Sequence, residues 1–287
     1  MAERPWNKIA GRRRQQFANW AVGFGLALFT VWTLAPILWL AVSSLMEQQA
    51  LTSTPPDFSA RSFTVQNYAQ VMTAAAALGR GLLNSLIVAV ATTAVALAAG
   101  APAAYALARL QLPGAGPILL LILATQMFPG IVVAIPLFIV MSRIGLIDSR
   151  LGLIVVYLSF NLPIVIWVLR GFFLGIPVGL ERAAAVDGAS IFQTFRLIVL
   201  PISWPPIFAT SIFAFIESWN EFFFALILTR QNSQTVPLVI SQFAGQYQTV
   251  FGQMMAAAAM AVAPVVLLAV IFRRSIMQGF SEGMIKG

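Results

Sequence analysis

Seven polar side chains lie where a mostly apolar chain has to account for them: Glu181, Asp187, Glu217, Glu221, Gln126, Asn161 and Asn220. Glu217 and Glu221 are four residues apart with Asn220 between them, a spacing that on a helix puts two carboxyls and a carboxamide on one face. Such a stripe suits a proton or cation site, an acid/base pair, or a set of hydrogen-bond partners for hydroxyl groups. The chain has no cysteine and no histidine, so Ser-His and Cys-His nucleophiles, histidine relays, disulfides and thiolate or imidazole metal sites are excluded. It also lacks a G-x4-G-K-[ST] phosphate cradle, so no ATP site of that kind is expected.

The elements that position these groups are set by composition. Of 287 residues, 60% are hydrophobic and 9% charged, against a charged fraction of roughly 25% in soluble domains. The chain belongs in a bilayer. A helix needs about 20 apolar residues to cross one, and six runs qualify: Trp20 to Val42, Leu82 to Leu107, Pro117 to Ser142, Leu151 to Phe172, Pro205 to Thr229 and Met254 to Phe272. The runs are continuously apolar rather than alternating, which predicts an all-α polytopic bundle and not a barrel. The apolar run behind Arg12, Arg13 and Arg14 exceeds a signal-peptide core, so it is read as an uncleaved first span.

With both termini in the cytoplasm, twelve basic residues lie inside (Arg4, Lys8, Arg12, Arg13, Arg14, Arg109, Arg170, Arg182, Arg196, Arg273, Arg274, Lys286) and five outside (Arg61, Arg80, Arg143, Arg150, Arg230). That asymmetry accounts for the net charge of +8 through topology, not through nucleic acid. The expected organisation is a cytoplasmic tail 1–19, a six-span domain 20–272 and a cytoplasmic tail 273–287, with external segments 43–81 and 230–253. Ser59 and Ser233 fall on those external segments, and the second is glutamine-rich, from Gln231 to Gln246, Gln248 and Gln253.

Residues 173–204 connect two spans, far more than the usual two to eight or so for a helix-to-helix connection. Pro177 suits a first helical turn, residues 181–186 are good helix formers, and Asp187-Gly188 breaks the run. Ser190 and Gln193 have capping-box spacing. Two short helices joined at a glycine corner are predicted. Small residues at Ala183, Ala184 and Ala189 would let this elbow seat in a partner's groove, and the apolar face from Ile191 to Val199 would equally suit a re-entrant or interfacial helix lying on lipid head groups.

Glu181-Arg182-Ala183-Ala184, Gly188-Ala189 and Ile198, Leu200 and Pro201 resemble the E-A-A-x3-G-x9-I-x-L-P signature of ABC importer permeases. Leu83-Asn84-Ser85, Ala103 to Arg109, Ala134 to Phe138, Trp219 to Phe222 and the closing Gln278-Gly279-Phe280, Gly283, Lys286 and Gly287 extend the likeness over nearly the whole chain. The resemblance is to the carbohydrate-type family, specifically maltose-importer G-type subunits. It implies a type I importer permease fold in a bacterial inner membrane, a second related permease, two cytoplasmic ATPase subunits that hold ATP and Mg, an extracytoplasmic solute-binding protein and a sugar substrate. No cofactor is implied in this chain. Arg182 departs from the signature's first acid, which leaves Glu181 beside it as the alternative carrier of the ATPase contact.

At about 1.5 Å per residue, Glu217 lies roughly 18 Å into its span, and Gln126 and Asn161 roughly 14 to 15 Å into theirs. Polar groups at that depth line a wet path or join helices. Pro129-Gly130 and Pro136 should break the third span beside Gln126. For a sugar, amides and carboxylates would meet hydroxyls while Trp219 or Phe128 stacks on the ring. An ion-driven secondary transporter using Glu217 and Glu221 is the competing class, and an intramembrane acid/base enzyme the third.

Overall fold

The structure, a computed structural model, describes residues 5–73, 75–245 and 249–284, with side chains over 19–73, 77–245 and 249–272. Gln246, Gln248, Lys286 and Gly287, named above, lie outside the described residues, as do Arg4 and the side chains of Lys8, Arg12, Arg13, Arg14, Arg273, Arg274, Gln278 and Phe280. Helix α1 (Pro5–Ser44) is followed by short α2 (Gln48–Thr52) and α3 (Gln66–Thr73), then long α4 (Ala75–Arg109). Next come α5 (Ala115–Ala124), α6 (Gly130–Arg143) and α7 (Arg150–Leu174). The chain continues through α8 (Val178–Val186), α9 (Ile191–Thr194), α10 (Leu200–Ile202), α11 (Trp204–Asn220), α12 (Phe223–Leu228), α13 (Val236–Ser241) and α14 (Phe251–Met284).

Four stretches are long and apolar enough to cross a membrane as single helices: Asn19–Ser44, Ala77–Arg109, Arg150–Leu174 and Phe251–Phe272. Two bent pairs bring the number to six when each is counted as one span. In the first, Ala115–Met127 and Gly130–Arg143 meet at 96°. The bend falls where the sequence places it, because Pro129 has no N–H and forces the residue before it out of the helical region; Phe128 is extended, with ψ 123°. In the second, Ile191–Ile202 meets Trp204–Asn220 at 78°.

The fifth span corrects the sequence reading. Instead of one helix from Pro205 to Thr229, α11 stops at Asn220, Glu221 turns extended with ψ 123°, and α12 starts afresh. The new start is supported by Glu221 itself, whose carboxylate accepts from the backbone N–H of Phe224 (2.9 Å) and Ala225 (3.2 Å). A helix beginning within an apolar span has no water for its first amides, so a side-chain acceptor supplies the bonds.

Helices α4, α7 and α11 make the centre of the bundle. Gly100 permits the α4–α7 approach, since a Cβ there would sit 2.7 Å from Val165 Cγ1. Around it, Val165, Leu169, Phe173, Tyr105, Phe195 and Ala214 form one buried cluster at the α4 C-terminal end. Helix α1 lies against α14 at the edge of the bundle, and none of its most apolar stretch is buried. It is tied at its C-terminal end, where Asn67 donates to the carbonyls of Ser44 (3.0 Å) and Met46 (2.8 Å) and Ser44 hydrogen-bonds the Tyr68 hydroxyl (2.8 Å).

Candidate functional site

The elbow is built as its sequence requires. Pro177 stands at the N-cap position, one residue before the first turn that its sequence suggested and with no side-chain cap bond, and Gly188, at φ +81°, closes α8. The N–H of Gly188 reaches Ala185 O (3.1 Å) and that of Ala189 reaches Ala184 O (2.9 Å), the paired bonds of a Schellman stop, which needs a left-handed residue at this point. Ser190 then opens α9 with both halves of the capping box: Gln193 N to Ser190 Oγ, 3.3 Å, and Ser190 N to Gln193 Oε1, 2.8 Å. A wide π turn over Phe195–Val199 precedes Pro201, whose missing N–H and ring are poorly tolerated by a regular ladder.

Its two faces differ. Val186 (87% exposed), Phe192 and Ile191 form an uncovered apolar surface together with exposed Arg182, Ala183, Asp187 and Gly188. Ala189, Ile198 and Leu200 are half-buried, Pro201 is exposed and Ala184 is buried. Glu181 turns the other way: its carboxylate pairs with Arg109 Nε at 2.8 Å and accepts from the Tyr105 hydroxyl at 3.4 Å. Arg109 also donates to Ile176 O, and Arg170 Nε donates to Leu107 O (3.3 Å). Beneath them Phe195 packs on Tyr105, with ring centroids 5.0 Å apart.

The polar groups of the spans separate into two kinds. Asn161 is buried and spent on Tyr157 O (3.1 Å) and Ser218 Oγ (3.2 Å), joining α7 to α11. Gln126 donates to Phe160 O at 2.8 Å, next to the bend. Trp219 stacks on Phe215 at 5.6 Å within the core, with only 4% of its surface exposed, so it offers little face for a sugar ring. Glu217 and Asn220 are exposed on the outside of the chain, whereas Glu221 has left their helical face to cap α12. The stripe of three is thus a pair.

Sequence reasoning missed a third polar centre, at the opposite end of the bundle from the elbow. Asp148, in the α6–α7 hairpin with φ +53°, accepts from the consecutive backbone N–H groups of Arg230, Gln231, Asn232 and Ser233 at 3.0 to 3.3 Å. The Asn232 amide and the Ser233 hydroxyl add bonds at 2.9 and 3.1 Å. Desolvation acts to raise the carboxyl's pKa, but the N–H groups of Arg230, Asn232, Ser233 and Gln231 outweigh it and hold the group well below the usual carboxylate range. Alongside, Asn84 donates to Asn232 O (3.0 Å) and Gln234 O (2.9 Å) and accepts from Arg150 (2.7 Å), while Ser85 Oγ accepts from Val236 N (2.8 Å). Ser233 is therefore buried, not an exposed external residue. The one sequence signal was an Asp in a short hairpin, a residue type that tolerates left-handed backbone.

Residues 96–281 match the family described as the binding-protein-dependent transport system inner membrane component. The chain is 36% identical over 282 residues to the trehalose transport system permease protein SugB of Mycobacterium tuberculosis, covering 96% of this chain and 100% of that one. It is 32% identical to the trehalose/maltose transport system permease protein MalG of Thermococcus litoralis, covering 92% of this chain and 95% of that protein. In fold it is similar to a chain of the crystal structure of a bacterial ABC transporter that imports the acidic polysaccharide alginate, with TM-score 0.71, 22% identity and coverage of 96% and 99%.

Proposed function

The chain belongs to the family of inner-membrane components of binding-protein-dependent transport systems, and on that premise we propose that it forms half of the membrane path of an ATP-driven importer for a sugar or oligosaccharide. The sugar reading draws on relatives named for trehalose and maltose transport. The observation that carries the ATP-driven mechanism is the elbow: two short helices joined by a Schellman stop and a capping box, with an apolar face that none of the described residues covers. That face is the docking surface for a cytoplasmic ATPase subunit, one of two that bind ATP and Mg and hydrolyse the nucleotide. Movement of the elbow switches the path between inward and outward access. A second, related permease completes the path, an extracytoplasmic solute-binding protein delivers the sugar, and both termini of this chain lie in the cytoplasm.

Exposed Glu217 and Asn220 on α11 face the path and meet substrate hydroxyls. The position of Glu221 favours this reading over an ion-driven carrier, because its carboxylate is already committed to the amides that start α12. In proteoliposomes holding the assembled complex, labelled disaccharide is expected to accumulate with enclosed ATP and not with a proton or sodium gradient alone. In the cysteine-free chain, thiols placed at Ser59 and at exposed Gln231 should react with an impermeant maleimide from outside intact cells, and one at Ser190 should not. Gradient-driven uptake without ATP, or outside labelling at position 190, refutes the proposal.

A further inference from the structure

Helix α8 touches its own chain through very little. Of its residues Val178–Val186, only Glu181 and Ala184 are not exposed. They stand three apart, on one helical face. Ala184 has no more than a methyl group to offer, so the specific grip belongs to Glu181. Its partner Arg109 ends the longest helix of the central bundle, and both side chains are largely withdrawn from water, at 10% exposed for Arg109 and 16% for Glu181. The helix ends reinforce the pair, because Glu181 sits in the first turn of α8 and Arg109 in the last turn of α4, where each macrodipole favours that charge. Arg109 further donates to Ile176 O, so one guanidinium grips the chain on both sides of the α8 start.

We propose that Glu181 is a positioning residue that fastens the elbow to α4 through Arg109, so that α8 and α4 move as one body, and that it is not the residue that meets the ATPase. This rests on the reading of the elbow as the coupling site. It divides the signature by direction: the acid works inward on Arg109, and the partner meets the outward face that carries Arg182, Val186 and Phe192. A rigid tie is what coupling requires, since an elbow free to pivot on its two short connections would absorb a push instead of passing it to the helices around the path.

The test uses two readouts, one of which needs no ATPase. A single cysteine at buried Ala184 reports whether α8 lifts from the bundle. In the permease alone, its maleimide labelling is expected to rise at least tenfold in Glu181→Gln and equally in Arg109→Gln, and to fall at least threefold below the Gln variants when Arg109→Glu is combined with Glu181→Arg, a swap that restores the ion pair but not the bond to Ile176 O or the helix-end charges. In the assembled complex, Glu181→Gln should lower sugar moved per ATP hydrolysed at least tenfold while affinity for the ATPase subunits stays within threefold. The charge-swapped pair should recover part of the ratio, at least threefold over Glu181→Gln, which a simple structural lesion would not. Unchanged labelling in both Gln variants overturns the proposal, as does a tenfold loss of ATPase affinity that the swap leaves unrepaired. If Phe192→Asp leaves ATPase affinity unchanged while the labelling results hold, the coupling-site reading fails and the tie stands.

Discussion

Asp148→Asn isolates the polar centre at the end of the bundle away from the elbow. Oδ1 and Oδ2 together receive four backbone N–H groups of residues 230–233. The carboxamide keeps one oxygen, removes the charge, and points an N–H2 at amides that were donors. Hydrogen bonds to a charged acceptor contribute roughly 1.5 to 3 kcal/mol each, but the site is half-exposed and water re-enters, so the expected net loss is about 2 to 3 kcal/mol for opening the 230–236 segment. Thr235, 1% exposed and just beyond the bonded stretch, is the reporter: as a lone cysteine it labels only when that segment lifts. With about 1.4 kcal/mol per tenfold, labelling should accelerate about 30- to 150-fold. The pH sign follows from the lowered carboxyl pKa. Its contribution is fully present above the unfolded value of about 3.9 and is lost as pH falls through the lower folded value. Protection in the parent chain should therefore be flat from about pH 5 upward, once the thiolate fraction is corrected for, and weaken only in strong acid; the Asn variant should lack that acid limb. Acceleration below threefold would refute the reasoning.

Two further outcomes are expected. At Gly188 no atom lies within 4 Å of an added Cβ, so Gly188→Ala suffers only from φ +81°, about 1 to 2 kcal/mol; uptake should fall several-fold with insertion intact, and Gly188→Asn, which tolerates that backbone, should retain more. Equal uptake by Ala, Asn and Gly removes the corner from the mechanism. Asn220→Leu should raise the half-saturating sugar concentration about 5- to 150-fold, the equivalent of about 1 to 3 kcal/mol for an unmet hydroxyl, while the complex co-purifies intact. Loss of the companion permease on purification instead would make Asn220 a helix-joining residue.

What the sequence discloses is what is decided within a few residues. The Pro129 break, the Gly188 corner and the Ser190–Gln193 box are local chemistry, and each stands where the spacing puts it. Glu221 was misjudged because helical period was carried across Asn220, when the carboxylate had a better use as an acceptor for the next helix. Asp148 reaches amides more than eighty residues away, and Glu181 reaches Arg109 on another helix; no periodicity encodes either partner. Asn84 and Ser85 were noticed only as letters of a motif, and their work, satisfying the backbone of 232–236, exists only once α4 and that segment are side by side.

Helix α1 also carries an optical consequence. Trp20, Trp32 and Trp39 project from it 79%, 80% and 47% exposed; Trp167 on α7 and Trp204 on α11 are also exposed, whereas Trp219 is sealed in the core. Indole emission shifts to the blue in dry packing and is quenched by bromine on nearby acyl chains. With Trp6, Trp167 and Trp204 replaced by Phe, a lone chain in brominated lipid should therefore be dimmed through this helix, with Trp219 as an internal standard that lipid does not reach. Whatever covers α1 in the finished assembly then announces itself as recovered light, with no label added to the protein.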